Sequence, residues 1–329
     1  MADTAPAATH TPPTARARDV LAVTHSTTYR YAAPVTLGPQ RLMLRPHDSH
    51  DMRLLSASLT LSPPGKLRWF HDVFGNSIAM AEFDGPTQEL VIRSDLVVER
   101  FDEERPRDTA SEIAPEARNW PFLYSPDDRA DLGTMMLAQY ADPGGRVLRW
   151  GQGFVAAYPT PTLGLLRDIN ASIQAGFAYR AREEAGTQTP LETLDRGSGT
   201  CRDFAVLMIE TCRAMGFGAR LISGYLRVPE ESALLGAGST HAWCEVYLPG
   251  AGWIAFDPTN GLMGSRDLIR VATVRDIRQA APISGSYIGQ PEDFLGMEVS
   301  VEVRRVGPQW VDAQGVDAQW VEAGALPPA

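Results

Sequence analysis

Residues 19–105 have the hydrophobic pattern of an all-β domain. Turn-forming Pro, Gly, Asp and Ser residues separate four strand-like runs, which are residues 20–31, 54–61, 78–83 and 89–99. Several short strands at this spacing predict a β-sandwich over residues 19–105. The preceding residues, 1–18, are rich in Ala, Thr and Pro and contain little apolar surface, which predicts a disordered lead.

Helical patterns begin after the predicted sandwich. Residues 106–160 are predicted to be a connecting helical segment, with a short helix from Asp127 to Tyr140. Residues 162–176 place four apolar side chains on one face of a helix, namely Leu165, Leu166, Ile169 and Ile173. Residues 189–192 form a capping box with proline at the first helical position, so another helix is predicted to begin there.

Two late segments, residues 268–274 and 297–306, are strand-like. We predict that both complete the sheet of a second domain, which spans residues 161–306. The last segment, residues 307–329, contains Val-Asp-Ala-Gln twice and is predicted to be a flexible tail.

A fourth helix is predicted to begin at Cys201, directly after the small and flexible run from Gly197 to Thr200. Apolar or small residues recur from Phe204 at spacings of three and four until Gly216 ends the pattern. Unpaired N–H groups and the helix dipole favour an anion at a helix N-terminus, so they should lower the pKa of the thiol and could later hold an oxyanion. A buried cysteine that caps a core helix explains the same pattern, and the helix alone does not decide between the two interpretations.

A predicted β-hairpin follows, with strands at residues 239–247 and 253–259 and a turn at residues 249–252. Side chains alternate faces along a strand, so three residues share one face of the first strand: His241, Trp243 and Glu245. Folding the hairpin about Pro249 places Asp257 opposite His241. Glu245 is an alternative acid partner for the histidine, but the turn register favours Asp257.

Cys201, His241 and Asp257 together supply a nucleophile, a base and an orienting acid, which is the combination that nucleophilic catalysis requires. We predict that they form a catalytic triad. The other two thiols are predicted to be core residues: Cys212 lies three helical turns beyond Cys201, and Cys244 faces away from His241. These diverging directions also argue against a zinc site built from the three cysteines and the histidine.

The composition narrows the range of functions. The chain has 329 residues, a formal net charge of −10 and a pI of about 5.1, which argues against binding to nucleic acid or to an anionic membrane. It has no apolar run of transmembrane length, and the residues before Arg16 lack the features of a secretory signal. Three cysteines form no evident disulfide framework, so we expect a cytoplasmic protein with a reduced catalytic thiol.

Three motifs resemble those of the transglutaminase-like superfamily, a cysteine-dependent branch of the papain-like fold. They are G-x-G-x-C-x-D-F at 197–204, S-x-H-A-W-x-E-V at 239–246 and G-W-x-x-F-D-P-T-N at 252–260. Residues 29–31 and 72–76 resemble the N-terminal domain of bacterial members. The resemblance implies an α+β fold in which an N-terminal β-sandwich precedes a papain-like core. In that core a helix bears the cysteine, and an antiparallel sheet bears the histidine and the aspartate. Arg202 departs from the glutamine of many relatives and could alter substrate recognition.

The resulting functional hypothesis is an enzyme that cleaves or transfers the acyl group of a peptide or protein amide through a thioester. Hydrolysis is slightly favoured because no separate acceptor site is recognisable. The alternatives are an amine-accepting protein-glutamine transglutaminase and a non-catalytic peptide-binding module. Three further residues are candidates for oxyanion or substrate contacts: Tyr179, Trp243 and Asp203. Neither a metal nor an organic cofactor is implied.

Overall fold

The structure is a computed structural model that describes residues 18–101, 109–181, 186–229, 234–236, 238–264 and 267–307, together with Ser232. The predicted disordered lead and flexible tail lie outside these residues, apart from Arg18 and Gly307. The strands are β1 (Arg18–Leu37), β2 (Gln40–Arg45), β3 (Met52–Ser62), β4 (Gly65–His71), β5 (Ser77–Phe83), β6 (Pro86–Phe101), β7 (Asn119–Trp120), β8 (Thr160–Pro161), β9 (Ala178–Tyr179), β10 (Ser198–Gly199), β11 (Ala219–Leu226), β12 (His241–Leu248), β13 (Gly252–Asp257), β14 (Leu262–Met263), β15 (Leu268–Val274), β16 (Ile283–Ser284), β17 (Tyr287–Ile288) and β18 (Phe294–Val306). The α-helices are α1 (Thr109–Glu112), α2 (Pro126–Leu132), α3 (Arg146–Gln152), α4 (Thr162–Gly176), α5 (Pro190–Arg196) and α6 (Cys201–Ala214), and short 3₁₀ helices lie at Pro115–Ala117, Gly133–Met136, Ile277–Gln279 and Pro291–Asp293.

Two antiparallel sheets form the N-terminal domain. One has the strand order β17-β1-β6-β3, with β18 also paired to β1, and the other has the order β16-β2-β5-β4. Their inner faces enclose a buried apolar core that draws side chains from both sheets, including Val35, Leu42, Ala79 and Ile92. The domain is therefore a sandwich of two sheets, as the strand pattern predicts.

The second domain packs helices against a five-stranded antiparallel sheet of order β14-β13-β12-β11-β15. Helix α6 is central and is buried over nearly its whole length. Its apolar side chains share one core with those of α4 and of strands β11 to β13. Helix α4 has the predicted bounds, and α5 begins after the predicted cap at Thr189. The described residues thus form a mixed α/β fold in which an N-terminal sheet domain precedes a domain of helices packed on a sheet.

The prediction for the last strand is wrong. Residues 268–274 do join the second domain's sheet, where β15 pairs with β11. Strand β18 instead pairs with β1 of the first domain, from Val20 with Val306 to Tyr31 with Phe294. An alternating pattern shows that a segment is a strand but leaves its partner open, because pairing over a long sequence separation is set by tertiary packing.

The connecting segment contains more helices than the sequence indicated. The helix predicted from Asp127 to Tyr140 is divided into α2 and a 3₁₀ turn, since Gly133 takes a positive φ of 44° where α2 ends. Helix α3, which follows the Asp142–Gly145 turn, was not predicted. These short elements lead the chain from the sandwich to the core domain.

The two domains share a buried interface. Apolar residues of β1, β3, β6 and β18 pack against Tyr225 of β11 and Ile269 of β15. Asn76, in the turn before β5, also holds the backbone of Thr273 in β15: Nδ2 donates to its carbonyl at 2.7 Å, and Oδ1 accepts from its N–H at 2.9 Å. The sandwich therefore supports the outer strand of the core domain's sheet.

Candidate active site

Cys201 is the first residue of α6, and the loop before it is fixed by Asp203. The Thr200 N–H and hydroxyl donate to Oδ2 of Asp203 at 2.8 and 3.0 Å, and the Gln188 N–H donates to Oδ1 at 2.7 Å. A Cβ atom at Gly199 would lie only 2.8 Å from Cβ of Asp203, so the loop needs glycine there. Asp203 is fully buried. Its geometry favours a structural role over contact with a substrate amine.

His241 and Asp257 are directly linked. Nε2 of His241 lies 2.9 Å from Oδ2 of Asp257, and neither side chain has exposed surface. Burial disfavours the charged imidazole, but the hydrogen bond to Asp257 and the interactions with Cys201 outweigh it and raise the pKa of His241 to about 10. The surroundings of His241 therefore favour its charged form, and its Nε2 is the nitrogen that faces the acid.

The predicted hairpin is present, but its register differs from the prediction. The strands fold about Gly250 rather than Pro249, because the turn has three residues and Gly250 takes a positive φ of 84° between them. The observed pairs are Cys244 with Phe256, Glu245 with Ala255, Val246 with Ile254, Tyr247 with Trp253 and Leu248 with Gly252. This register makes Asp257 diagonal to His241 instead of directly opposite. The offset leaves the alternation unchanged, so both side chains stay on one face and meet.

Asp257 receives two further hydrogen bonds. The Thr259 N–H donates to Oδ1 at 3.0 Å, and the Asn260 side-chain amide donates to Oδ2 at 2.8 Å. Burial alone would raise the pKa of Asp257, but the hydrogen bonds and the charge of His241 lower it. Sequence reasoning missed the contribution of Asn260, although this residue closes the third motif quoted above.

The environment of Cys201 favours a thiolate. Burial opposes ionisation of the thiol, but His241, the backbone N–H of Ala242 and the nearby charge of Arg202 together lower the pKa of Cys201. The Ala242 N–H was not foreseen, since a backbone donor leaves no mark in the sequence. Cys201 is a buried residue with 7% of its surface exposed.

The other two thiols differ from Cys201. Cys212 and Cys244 are both 0% exposed, and all three cysteines are free. Burial raises the pKa of Cys212 to about 12 and raises that of Cys244 well above its ordinary value. These are the properties of core residues, as the sequence predicted.

Glu245 is not brought to His241. It forms ion pairs with Arg220 at 2.6 Å and with Arg270 at 3.5 Å, which removes it as an alternative partner for the histidine. Trp243 is only 1% exposed and its ring lies 6.1 Å from that of His241. Burial therefore makes Trp243 a packing residue beside the histidine and does not support the predicted substrate contact.

Tyr179 lies beside the thiol. Strand β9 runs parallel to β10, which places Tyr179 next to Gly199, two residues before Cys201. Burial raises the pKa of Tyr179, and the charge of Cys201 raises it further. The half-buried hydroxyl is neutral at physiological pH and can donate a hydrogen bond. Its role as an oxyanion donor stays a prediction.

In the part of the chain that the structure describes, no group of three or more His, Cys, Asp and Glu side chains is arranged to hold a metal ion. None of the helices described there has the length and hydropathy needed to cross a membrane.

Comparison with known proteins places the chain in a family. The model of the bacterial transglutaminase-like N-terminal region matches residues 21–99, and the model of the transglutaminase-like superfamily core matches residues 149–258. An uncharacterised protein of Mycobacterium tuberculosis is 29% identical over 301 residues, which cover 85% of this chain and 91% of that protein. A protein-glutamine gamma-glutamyltransferase of Pseudomonas aeruginosa is 28% identical over 151 residues, which cover 43% of this chain and 22% of that protein.

A solved structure shares the fold over most of the chain. It is a Cytophaga hutchinsonii protein described as a candidate cysteine protease, with a TM-score of 0.67 and 20% sequence identity. The superposition covers 88% of this chain and 92% of that one. The first match contains strands β2 to β5 of the sandwich, and the core match contains the helix of Cys201 and the hairpin of His241 and Asp257. The chain belongs to the transglutaminase-like superfamily and carries the N-terminal region of its bacterial members.

Proposed function

We propose that this protein is a cysteine-dependent acyl-transfer enzyme that acts on peptide or protein amides. Cys201 is the nucleophile, His241 is the base and acid, and Asp257 orients the imidazole. The observation that supports this proposal most strongly is the buried series of interactions from Asp257 through His241 to Cys201, with 2.9 Å between the carboxylate oxygen and Nε2. A protein that only binds a peptide has no chemical need for a thiolate held beside an imidazolium.

The first half-reaction forms a thioester. The thiolate of Cys201 attacks the amide carbonyl carbon, and N–H groups at the start of α6 stabilise the negative charge on the carbonyl oxygen. His241 then gives a proton to the leaving nitrogen as the carbon–nitrogen bond breaks. We assign this proton to Nδ1, because Nε2 is bonded to Asp257. The products of this step are a free amine and an acyl group on Cys201.

The second half-reaction regenerates the enzyme. An acceptor attacks the thioester carbonyl and loses a proton to His241, and the carbon–sulfur bond breaks to restore the thiolate and imidazolium pair. Water as acceptor makes the enzyme a peptidase or amidase, whereas a primary amine makes it a transglutaminase. We favour water slightly, since the sequence offers no recognisable acceptor site. The name of the Cytophaga hutchinsonii protein indicates hydrolysis, whereas that of the Pseudomonas aeruginosa protein indicates acyl transfer.

The experiment incubates the purified protein with a pool of glutamine-containing and other peptides, with and without methylamine, and analyses the products by mass spectrometry. In heavy-oxygen water, hydrolysis introduces the isotope into the new carboxylate, whereas transfer yields a methylamide. Cys201→Ala is expected to abolish both products. Cys212→Ala removes a thiol of the same helix that is fully buried, and it serves as the matched control that keeps activity.

The outcomes separate the candidate functions. Isotope incorporation that methylamine does not suppress supports hydrolysis, and a methylamide as main product supports transamidation. Peptide retention without any product, equal in the wild type and in Cys201→Ala, would favour a binding module and contradict the proposal.

A further inference from the structure

Asn260 makes contacts that the proposed triad does not account for. Its side-chain Nδ2 donates to Oδ2 of Asp257 at 2.8 Å, which is the same oxygen that faces His241. The Asn260 N–H also lies 3.3 Å from the carbonyl of Asp257 and closes a turn after β13. Asn260 is therefore fixed to the acid through both its backbone and its side chain.

The same amide group holds a second segment. Oδ1 of Asn260 accepts from the Leu235 N–H at 2.7 Å, and Nδ2 donates to the Leu235 carbonyl at 3.2 Å. An amide nitrogen has two hydrogens, so one reaches Asp257 and the other reaches Leu235. The Asn260 side chain thus bonds both the N–H and the carbonyl of Leu235, as a neighbouring strand would. It also donates a hydrogen bond to Asp257.

The residue after Leu235 lies against the imidazole. Gly236 has a positive φ of 95°, and a Cβ atom built there would lie 2.9 Å from Nδ1 of His241. Nδ1 is the nitrogen that Asp257 does not use, and it has no hydrogen-bond partner of regular geometry within the described residues. The backbone held by Asn260 therefore packs against the side of the ring from which the proton has to move.

We propose that Asn260 is a positioning residue that fixes Asp257 and the Leu235–Gly236 backbone on two sides of His241. The inference rests on the proposed function, because orientation of the imidazole matters only if His241 exchanges protons with Cys201. The side-chain hydrogen bonds of Asn260 go to Asp257 and Leu235, so it acts on His241 through Asp257 and Gly236. Its amide is suited to this position because it alone offers a donor to the acid together with a donor and an acceptor to the backbone.

The chain contains a matched control for this arrangement. Nδ2 of Asn76 donates to Oδ2 of Asp72 at 3.0 Å and to the Thr273 carbonyl at 2.7 Å, while its Oδ1 accepts from the Thr273 N–H. The side chain of Asn76 therefore makes the same three hydrogen bonds as that of Asn260, one to an aspartate and two to one backbone residue, but at the interface between the domains. Replacing Asn76 removes the same set of hydrogen bonds at a place that does not contact His241. It therefore shows what the loss of these hydrogen bonds does by itself.

The experiment measures the rate of alkylation of Cys201 by iodoacetamide against pH, which requires no identified substrate. Asn260→Ala is expected to slow alkylation near neutral pH by about 10- to 100-fold, as expected for the loss of a hydrogen bond to a charged group. Its profile is expected to move to higher pH, since a freed imidazole stabilises the thiolate less well. Asn76→Ala is expected to retain the wild-type profile.

Asn260→Asp tests the role of the donor while keeping the shape of the side chain. The new carboxylate repels Asp257 at high pH, but a proton shared by the two acids restores a donor as the pH falls. The alkylation rate of Asn260→Asp relative to Asn260→Ala is therefore expected to rise with acidification. If the alanine variant fails to fold, the alkylation rate of Asn260→Asp relative to the wild type at each pH tests the proposal, and this ratio is likewise expected to rise with acidification.

Two results would overturn the proposal, and they are distinct from failure of the proposed function. A wild-type profile in Asn260→Ala, or a pH-independent ratio between the two Asn260 variants, would make Asn260 merely structural. If His241→Ala leaves the wild-type alkylation profile unchanged, then the thiolate–imidazolium pair itself is absent and the proposed function fails, whatever Asn260 does.

Discussion

Acidification is expected to destabilise the protein through His25, a buried histidine at the interface between the two domains. His25 lies on β1 and is 1% exposed; its Nδ1 is 3.0 Å from the Tyr225 hydroxyl of β11 and its Nε2 is 3.0 Å from the Thr27 hydroxyl. Burial disfavours the charged imidazole and lowers the pKa of His25 from 6.5 to about 4. A neutral imidazole has one donor and one acceptor nitrogen. It can therefore form a hydrogen bond with both hydroxyls, because a hydroxyl group can donate or accept.

The size of the effect follows from proton linkage. Because the pKa of His25 is lower in the folded protein than in the unfolded chain, the unfolded chain binds more protons between the two values. The stability that neutral His25 contributes is therefore complete above pH 6.5 and is lost as the pH falls toward 4. The loss amounts to about 2 kcal/mol at pH 5 and about 3 kcal/mol at pH 4.

The assay is urea unfolding of the wild type and of His25→Gln at intervals between pH 7 and pH 4. Glutamine does not titrate. Between pH 7 and pH 4, the free energy of unfolding of His25→Gln is therefore expected to fall by about 3 kcal/mol less than that of the wild type. His50→Gln removes an exposed histidine and is expected to retain the wild-type slope. Equal slopes for the wild type and His25→Gln would refute the reasoning that burial suppresses the charge of His25.

Three further substitutions test the site and its support. Asp257→Asn removes the charge that holds the imidazolium, so the pKa of His241 is expected to fall and kcat/KM to decrease by about 100-fold or more, as measured with a peptide found to be a substrate. Arg202→Gln removes a nearby positive charge, so alkylation of Cys201 is expected to slow near neutral pH and to recover at high pH. Gly224→Ala places a methyl group against the backbone of β15 and 2.8 Å from the Trp243 ring, so urea unfolding is expected to show a loss of about 2–3 kcal/mol.

Each of these has a contradicting result. Unchanged turnover in Asp257→Asn would remove the acid from the mechanism. A slower alkylation of Arg202→Gln that persists at high pH would indicate lost access to the thiol instead of a changed pKa. Wild-type stability of Gly224→Ala would mean that the neighbouring strand shifts at little cost.

Local sequence patterns were sufficient for the elements that carry the proposed triad. The helix of Cys201 was predictable because its apolar spacing, its glycine-rich approach and its terminal glycine all agree. The faces of the hairpin were predictable because alternation survives an error in register, as the contact between His241 and Asp257 demonstrates.

Features that depend on long-range packing were not predictable. The sequence of β18 has the pattern of a half-buried strand, which does not indicate its partner. Its pairing with β1 is set by the tertiary fold. The register of the hairpin depends on a three-residue turn centred on Gly250, one residue beyond the predicted centre at Pro249. A single sequence does not show which residues lie close together in three dimensions. The burial of Asp203 and Trp243 was therefore not predictable. The same is true of the hydrogen bonds that Asn260 and the Ala242 N–H donate.

The most direct test of the proposed thiolate–imidazolium pair is the pH dependence of iodoacetamide alkylation at each of the three cysteines, read by mass spectrometry in the wild type and in His241→Ala. We expect Cys201 to react with a midpoint well below the ordinary thiol value of about 8.5, while Cys212 and Cys244 stay unmodified. His241→Ala is expected to move the Cys201 profile to higher pH. If Cys201 titrates like a free thiol, reacts no faster than the buried pair, or has the same profile without His241, the account of an activated nucleophile is contradicted.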